Sequence, residues 1–529
     1  MQATVSNSPF APCFFIMLVK TFAAALHSID ALTVTVEVNI TRGCYLSMVG
    51  LPDAAVRESL DRIRSTYDCL NITFPQKSIT INLSPADIKK EGTAYDLPLA
   101  IALMAADGII GADSLPRYMI MGELSLDGSL RPIKGALPIA IQARAEGFDG
   151  LILPAENARE AAVVNNLNVY GVKHIAEVIS HFNGDNQLQP TIVDTRREFF
   201  DHQQQVSFDF LEVKGQEKVK RALEVAAAGG HNLIMVGSPG SGKSMMAKRM
   251  PGILPPFTLS ESLETTKIYS VAGKLGVNSM LLTQRPFRSP HHSISSAALV
   301  GGGTYPQPGE ISLAHNGVLF LDELAEFNRS VLEVMRQPLE DRQITVSRAR
   351  MTVDYPAGFM LVAAMNPCPC GYYNHPTRPC TCAPGQVEKY LSRISGPLLD
   401  RIDIQVEITP VPFEKISDSR PAESSEKIRQ RVVAAREIQS KRFAEHSGVH
   451  CNAQMDDKLM NRYALPDEKG LQRLRTAMER FDLSARAYGR ILKVARTIAD
   501  LAGSEDVGGE HIAEAIGYRN LDRENWGKA

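Results

Sequence analysis

The chain has 529 residues, which is more than one ordinary hydrophobic core accommodates and therefore predicts two or three domains. Hydrophobic residues account for 44% and charged residues for 22% of the chain, as in an ordinary globular protein. The net charge of −2 excludes a global basic field that would attract nucleic acid, so any contact with DNA or RNA must come from local patches.

Residues 1–19 contain a short apolar run, Ala11–Val19, with no basic segment before it and no small-residue cleavage site after it. The run is well short of the roughly 20 residues that a membrane-spanning helix needs. We interpret residues 1–19 as a disordered extension or a mis-annotated start, with Met17 as the better start. No other segment reaches membrane length, which predicts a cytoplasmic protein without a membrane partner. Because thiols stay reduced in the cytoplasm, we do not expect the eight cysteines to form a disulfide framework.

Residues 20–185 alternate predicted strands and helices and form the first predicted domain. Leu32–Ile40 alternates apolar and polar residues, as a half-buried strand does, and Ala54–Arg64 has helical spacing. The stretch 184–208 contains Gly184, Asn186, Pro190 and the run Gln203–Gln205 and has no sustained periodicity, which predicts a linker at residues 186–209. Further strands are predicted at Ser78–Leu83, Tyr118–Leu124 and Gly150–Pro154, and further helices at Leu97–Ala106 and Leu137–Glu146.

A phosphate-binding loop is predicted near the start of a second α/β domain, residues 210–412. The short apolar strand His231–Val236 is followed by the pattern G-x-x-x-x-G-K-S and then by a helix. Backbone N–H groups of such a loop wrap phosphates, while Lys243 contacts the β- and γ-phosphates and Ser244 ligates Mg²⁺. The predicted ATP-binding residues are Gly237, Ser238, Pro239, Gly240, Ser241, Gly242, Lys243 and Ser244.

Two further predicted strands deliver polar side chains to this site. The apolar run Gly317–Leu321 ends in Asp322 and Glu323, at the end of a parallel strand where an α/β sheet places its chemistry. Asp322 would hold Mg²⁺ directly or through water, and Glu323 would polarise the attacking water. A third strand, Gly358–Met365, ends in Asn366, whose amide would orient that water or sense the γ-phosphate. An asparagine after a strand is also a common turn residue.

Four of the eight cysteines fall within fifteen positions, at Cys368, Cys370, Cys380 and Cys382. Thiolates at this density suit tetrahedral Zn²⁺, which would order an insert at residues 366–384 that has no core-forming stripe. Disulfides, free thiols and a site in which His375 replaces one cysteine are the alternatives.

Residues 413–529 are predicted to be almost entirely helical and form the last domain. Apolar residues recur at helical spacing in two places. One stripe contains Leu471, Leu474 and Met478, and the other contains Ile491, Ala495 and Ile498.

Taken in this order, the motifs resemble those of the ComM/YifB group of magnesium-chelatase-like AAA+ ATPases, and the resemblance extends from about Phe22 to Tyr518. It implies an α/β chain in which a Lon-protease-like (S5-type) domain precedes a P-loop AAA+ ATPase module with a helical lid. It also implies a homo-hexameric ring with ATP between neighbouring subunits. The matching stretches include VGLPDAAVRES (49–59), INLSPADIKKEG (81–92), AAAGGHNLIMVGSPGSGKS (226–244), PFRSPHHS (286–293), GGGTYPQPGEISLAHNGVLFLDEL (301–324), MNPCPCG (365–371) and SGPLLDRIDI (395–404).

The resemblance assigns roles to several basic residues. Arg401 has the position of the arginine finger that enters the neighbouring subunit's site, and Arg393 is the second candidate. Arg486 fits the sensor-2 position of the lid, although Arg490 lies one helical turn further on the same face.

The resemblance also places the segment Arg288–Gly309 at the ring pore. Within it, Arg288, His291 and His292 are candidate DNA contacts, and ordinary loop polarity is the alternative. Positive charge there would act through phosphates, independently of DNA sequence.

The first domain departs from the Lon-like proteases, which use a Ser–Lys dyad. The serine position holds Ala94, and the lysine position holds Ile139, with Lys134 nearby but displaced. Without a nucleophile no acyl-enzyme forms, so we expect a catalytically dead scaffold or DNA-binding domain.

The function implied by the resemblance is an ATP- and Mg²⁺-dependent hexameric DNA motor. Such a motor would act as a branch-migration helicase on single-stranded and branched DNA during recombination in natural transformation. The alternatives are a metal-insertion chaperone of the magnesium-chelatase type, a protein-remodelling ATPase, and an ATP-dependent protease, against which Ala94 argues.

Overall fold

The computed structural model describes residues 18–203, 208–276, 279–303, 306–348, 351–412, 422–446, 448–481 and 483–519. These residues form two compact units. The first unit runs to Glu198 and also takes in Thr266–Leu281, while the second comprises Phe199–Thr265 and the chain from Leu282 onward. Of the predicted extension, residues 1–17 lie outside the described ranges, and Leu18 and Val19 already belong to a strand.

Several predicted segments fall partly outside the described ranges. Residues 204–207 of the predicted linker are among them, as are residues 304–305 of the predicted pore segment. The linker also contains a helix, Thr195–His202. In the predicted helical domain, positions 413–421, 447, 482 and 520–529 lie outside the described residues.

The first unit is built on a seven-stranded mixed sheet with the strand order β3-β4-β2-β1-β5-β8-β9. Alternation along β2 buries Val34, Val36 and Val38, which confirms the predicted strand at Leu32–Ile40. The strands of the unit are β1 (Leu18–His27), β2 (Asp30–Thr41), β3 (Leu46–Val49), β4 (Ser78–Ser84), β5 (Tyr118–Ile120), β6 (Glu123–Leu124), β7 (Leu130–Arg131), β8 (Gly150–Pro154) and β9 (Asn168–Val172), of which β6 and β7 form a separate hairpin.

The helices of the first unit cover this sheet. The prediction of one strand over Tyr118–Leu124 was wrong, because the chain leaves the sheet at Gly122, whose N–H donates to the Ala94 carbonyl (2.9 Å). The later segment Thr266–Leu281 is hydrogen-bonded to the rest of this unit, because the Ser270 carbonyl accepts from the Gly135 N–H (3.1 Å). The helices are Ala54–Cys69, Asp96–Ala106, Ala136–Ala145, Ala155–Ala161 and Ile175–Asn183.

The second unit contains a five-stranded parallel sheet with the order β11-β14-β17-β10-β18. The strands β10, β14 and β17 are buried along their whole length, which explains their continuous apolar sequences. Because all five run in one direction, their carboxyl ends meet at one edge. The strands are β10 (Leu233–Gly237), β11 (Phe287–Arg288), β12 (Gly301–Gly302), β13 (Gln307–Pro308), β14 (Val318–Leu321), β15 (Gln343–Arg348), β16 (Met351–Pro356), β17 (Met360–Met365) and β18 (Ile404–Ile408), with β12-β13 and β15-β16 as separate hairpins.

Helices of the second unit share one hydrophobic core with its sheet. Leu474, Ile491, Ala495 and Ile498 are buried in this core as predicted, whereas Leu471 is exposed. None of the helices in the described part of the chain combines the length and the apolar composition that crossing a bilayer demands. The helices are Glu217–Gly229, Lys243–Ala247, Met250–Ile253, Ser296–Val300, Glu310–Leu313, Arg329–Glu333, Arg336–Asp341, Gln386–Leu391, Gly396–Leu399, Ser425–Arg442, Asp457–Tyr463, Glu468–Phe481, Ala485–Leu501 and Gly509–Gly517, and the helix Leu259–Ala272 begins in this unit and ends in residues assigned to the first.

Candidate nucleotide and metal sites

The phosphate loop follows β10 at the carboxyl edge of the parallel sheet. Gly240 and Gly242 have φ of 76° and 91°, left-handed values that favour glycine. Lys243 begins the next helix, and its Nζ donates to the carbonyls of Gly237 (2.7 Å) and Ser238 (3.0 Å). Burial lowers the pKa of Lys243, whereas the carboxylates of Asp322 and Glu323 act to raise it. The loop thus holds a cation against two of its own carbonyls.

A pair of oxygen donors lies next to this lysine. Ser244 Oγ donates to Asp322 Oδ2 (2.5 Å), and Asp322 Oδ1 accepts from the Glu323 N–H (2.9 Å). A hydroxyl and a carboxylate side by side match the hard oxygen ligands that Mg²⁺ prefers. The residues present therefore fit the magnesium ion that a bound nucleotide would bring.

Asn366 completes the arrangement at this edge. It follows β17, which pairs with both β10 and β14, and its Oδ1 accepts from Lys243 Nζ (3.1 Å). The structure therefore brings Lys243, Ser244, Asp322 and Asn366 together, as their order along parallel strands predicts.

Glu323 is placed differently from its neighbour Asp322. Its φ of 54° is in the left-handed region, and its side chain is 58% exposed. The carboxylate Oε2 lies 3.2 Å from His292 Nδ1. The ring of His292 packs against His291, with centroids 4.0 Å apart, and against the edge of Phe327. His292 is therefore in contact with the residue predicted to polarise the attacking water.

The remaining candidate DNA contacts occupy distinct surroundings. The Arg288 guanidinium forms two bonds to the Glu310 carboxylate, at 2.6 and 2.8 Å, so its charge is compensated. His291 Nδ1 lies 2.9 Å from Ser293 Oγ within its own loop. Arg288 is consequently less suited to a phosphate contact than the two histidines.

Arg401 lies at the opposite edge of the sheet from the phosphate loop. Arg401 precedes β18, and its carbonyl accepts from Nδ2 of Asn232 (3.1 Å), the residue directly before β10. The five-residue strand β10 separates the two edges by roughly 15 Å. Arg401 lies 2.6 Å from Glu340 Oε1, its side chain is only 9% exposed, and its buried Nε has no hydrogen-bond partner among the described residues. It does not contact the phosphate loop of its own chain.

Arg393, the second finger candidate, lies near the other edge. Its Nη1 donates to the carbonyl of Ala325 (3.3 Å) and lies 3.1 Å from Glu326 Oε2. Both partners follow β14 closely, so Arg393 is on the same side of the sheet as its own phosphate loop.

The two sensor-2 candidates differ in what they contact. Arg490 Nη1 lies 2.9 Å from Asp403, which is fully buried and also contacts His231 Nδ1 (3.3 Å). Burial acts to raise the pKa of Asp403, but Arg490 and His231 outweigh it and hold that pKa well below its usual range. Arg486 is 65% exposed and lies 3.2 Å from Asp400. The geometry thus gives Arg490 a structural partner and leaves Arg486 accessible to a ligand.

The four clustered cysteines form a compact group of thiols. Their Sγ atoms all lie within 4.8 Å of one another, and Cys368 Sγ is 3.2 Å from Cys370 and 3.8 Å from Cys380. Tetrahedral zinc with Zn–S bonds of about 2.3 Å places its sulfurs roughly 3.8 Å apart. The cysteines in the described ranges are free thiols. The spacing fits a metal and is too long for disulfides.

The surroundings of the cluster bear on the choice of ligands. His375 Nδ1 accepts from the N–H groups of Thr377 (3.2 Å) and Arg378 (3.0 Å) and is outside the cluster, so the described geometry favours four cysteines. Burial acts to raise the pKa of Cys370, but backbone N–H groups such as that of Thr381 lower it to about 5. A thiolate is the form that binds metal.

A Cys380→Ser/Cys382→Ser variant should contain background zinc, whereas the wild type should contain about one zinc per chain. Two of four ligands are lost in this variant, and the loop offers no replacement thiol. The check is elemental analysis of metal in the purified full-length proteins. Cys44→Ser, which changes an exposed cysteine in the first unit, is the control and should leave zinc unchanged. Equal zinc in wild type and the double variant would contradict the assignment.

Comparison with known proteins places this arrangement in a family. The family model of magnesium chelatase subunit ChlI matches residues 209–416, and two further models of that subunit match 36–157 and, as its C-terminal part, 422–519. The competence protein ComM of Haemophilus influenzae is 42% identical over 505 residues, which are 95% of this chain and 97% of ComM. The chain belongs to the ComM/YifB family of magnesium-chelatase-like AAA+ proteins.

Further relatives show how far this membership extends. YifB of Escherichia coli K12 is 44% identical over 505 residues, covering 94% of this chain and 96% of YifB. The magnesium-chelatase 67 kDa subunit of Chlorobaculum tepidum is 27% identical over only 38% of this chain. The ComM/YifB likeness therefore includes both units. Membership in this group of AAA+ proteins implies ATPase activity.

Two features of this ComM/YifB chain were missed by sequence reasoning. One is the contact of His292 with Glu323, and the other is the packing of Gly371 against Pro239 in the phosphate loop. The signal for the first was the His-His pair separated by two residues from the short segment Phe287–Arg288, which proved to be β11, the neighbour of β14. The signal for the second was a glycine directly after the first two cysteines.

Proposed function

We propose that the chain is an ATP-driven motor on DNA that works as a homo-hexameric ring, and that its reaction is branch migration of recombination intermediates in natural transformation. The observation that carries the ring is that the residues of the phosphate loop and Arg401 lie at opposite edges of one sheet. Lys243 and Asp322 lie at the carboxyl edge, and Arg401 lies at the amino edge. An arginine in that position is too far from its own phosphate loop to act there, so as an arginine finger it would serve a neighbour's nucleotide.

The proposed ATP site combines residues that bind phosphate and Mg²⁺ with residues that act on the attacking water. Lys243 contacts the β- and γ-phosphates, and Ser244 and Asp322 hold Mg²⁺, which neutralises phosphate charge when bound. Glu323 polarises the attacking water, and Asn366 orients it. The finger, Arg401, comes from a neighbouring subunit and stabilises charge in the transition state, and Arg486 is the sensor-2 residue of the lid.

The case for DNA rests on the competence protein ComM as a relative and on the loop that contains His291 and His292. The loop contacts Glu323 directly, so a polynucleotide bound to the loop would act on the hydrolysis site through His292. Binding through phosphates would be independent of sequence and would weaken with salt.

This coupling predicts that single-stranded or branched DNA raises the ATPase rate of the wild type, by at least about fivefold if DNA shifts the site between two states. His292→Ala should hydrolyse ATP at the same rate with and without DNA, because the contact with Glu323 is gone. His450→Ala, an exposed histidine elsewhere, is the control and should keep the stimulation. A wild-type rate that does not respond to DNA would favour a chelatase-type or protein-remodelling ATPase.

We further propose that the first unit has a Lon-protease-like fold without peptidase activity. Ala94 carries no hydroxyl, Ile139 is buried in the core, and Lys134 is exposed. We expect such a unit to serve as a scaffold or a DNA-binding surface. A casein-degradation assay should therefore be blank, and cleavage would overturn this part of the proposal.

A further inference from the structure

The cysteine loop begins directly at the nucleotide site. Asn366, which accepts from Lys243 Nζ (3.1 Å), is separated from Cys368 by one residue. Cys368 is fully buried, and its carbonyl accepts from the Gly371 N–H (3.0 Å), which closes a tight turn. The first half of the cysteine cluster is therefore part of the same turn that leaves strand β17.

Gly371 brings this turn against the phosphate loop. Its φ is 83°, and a Cβ built on it would lie 2.5 Å from Pro239 Cδ and 2.8 Å from Pro239 Cγ. Real Cβ atoms do not approach so closely, so only glycine allows this contact without displacement. Pro239 is the third residue of the phosphate loop, and its ring is the surface on which the turn rests.

The rest of the cysteine loop has little apolar packing to hold it. None of residues 372–386, all of them described, is buried. The second half of the cluster, Cys380 and Cys382, returns across this exposed loop to the turn that contacts Pro239. A metal bound by four thiolates is thus the main source of order for the loop.

We propose that the metal-loaded cysteine loop is a brace for the phosphate loop, with Gly371 as the positioning residue, so that affinity for ATP depends on metal at a separate site. This inference rests on the proposed ATP site and adds to it a second ligand, a thiophilic divalent cation such as Zn²⁺. With metal bound, the turn holds Pro239 in place and keeps Asn366 beside Lys243. Without metal, the loop no longer fixes that turn, and the phosphate loop loses its support.

The test measures equilibrium binding of a fluorescent, non-hydrolysable ATP analogue to the full chain, together with its zinc content and thermal unfolding midpoint. Gly371→Ala should retain zinc but bind the analogue at least about tenfold more weakly, because the added methyl displaces Pro239. Gly385→Ala is the matched control, since Gly385 also has a positive φ of 74°, but a Cβ there meets nothing within 4 Å. It should bind like the wild type.

Two further experiments distinguish loss of this brace from a general loss of folded structure. Pro239→Ala removes the ring atoms that the new methyl would strike, so the Gly371→Ala/Pro239→Ala variant should bind the analogue more tightly than Gly371→Ala alone. Wild type stripped of metal by a chelator should bind at least about tenfold more weakly and recover when Zn²⁺ is added.

Equal affinity in Gly371→Ala and Gly385→Ala would overturn the brace, and so would undiminished affinity after metal removal. Failure of the metal-loaded wild type to bind the analogue would overturn the proposed ATP site itself. The two failures are therefore distinguishable in one titration series.

Discussion

Lys243→Ala should reduce ATP hydrolysis at saturating nucleotide by at least about a hundredfold, as the loss of a preorganised charge at a reacting phosphate does. The ammonium is held by two carbonyls of the phosphate loop and by Asn366, and the carboxylates of Asp322 and Glu323 favour its charged form. Alanine leaves the β- and γ-phosphates without this charge. Steady-state release of inorganic phosphate measures the effect.

The control for this change is Lys248→Ala. Lys248 ends the same short helix but is exposed, so its removal should leave the rate within about twofold of wild type. A Lys243→Ala protein that hydrolyses ATP at nearly the wild-type rate would refute the assignment of the phosphate loop.

Arg401→Ala should lower hydrolysis by about three orders of magnitude or more, which is the effect of a missing arginine finger. Nucleotide binding should change little, because Arg401 lies at the other edge of the sheet from its own phosphate loop. Glu323→Gln should be equally inactive, because it removes the carboxylate that polarises the attacking water. Glu323 acts together with Lys243 of its own chain.

Mixing these two inactive proteins tests the shared site. A ring that contains both has interfaces where intact Glu323 of one subunit meets intact Arg401 of the next, and up to about a quarter of random interfaces are complete. The mixture should therefore regain ATPase activity. A mixture of Lys243→Ala with Glu323→Gln is the control, because no subunit then has both residues, and it should remain inactive. If the first mixture shows no ATPase activity, the site is not completed by a residue of the neighbouring subunit.

Much of the nucleotide site was predictable because its parts are local or obey a sheet rule. The phosphate loop is continuous in sequence, and the strand before it and the helix after it have their own signals. Asp322 and Asn366 end apolar strands, and the carboxyl ends of parallel strands meet at one edge. The four cysteines are close in sequence, and their convergence follows from the short loop between them.

The features that escaped prediction depend on neighbours that sequence spacing does not define. His292 contacts Glu323 because β11 pairs with β14, and that pairing joins segments about thirty residues apart in a register set by packing. Arg486 and Arg490 are one helical turn apart, so sequence spacing does not distinguish them. In the structure they differ because Arg490 pairs with the buried Asp403. Leu471 is exposed although its spacing fits the apolar stripe, because the core covers a narrower face of its helix.

The most direct measurement supplies the full chain with ATP, Mg²⁺ and a labelled three- or four-stranded branched DNA and follows the product strands over time. The DNA-motor account predicts ATP-dependent branch movement by the wild type and none by Lys243→Ala. Product strands should also be absent when ATP is replaced by a non-hydrolysable analogue. A wild-type protein that hydrolyses ATP but moves no branch would contradict the account.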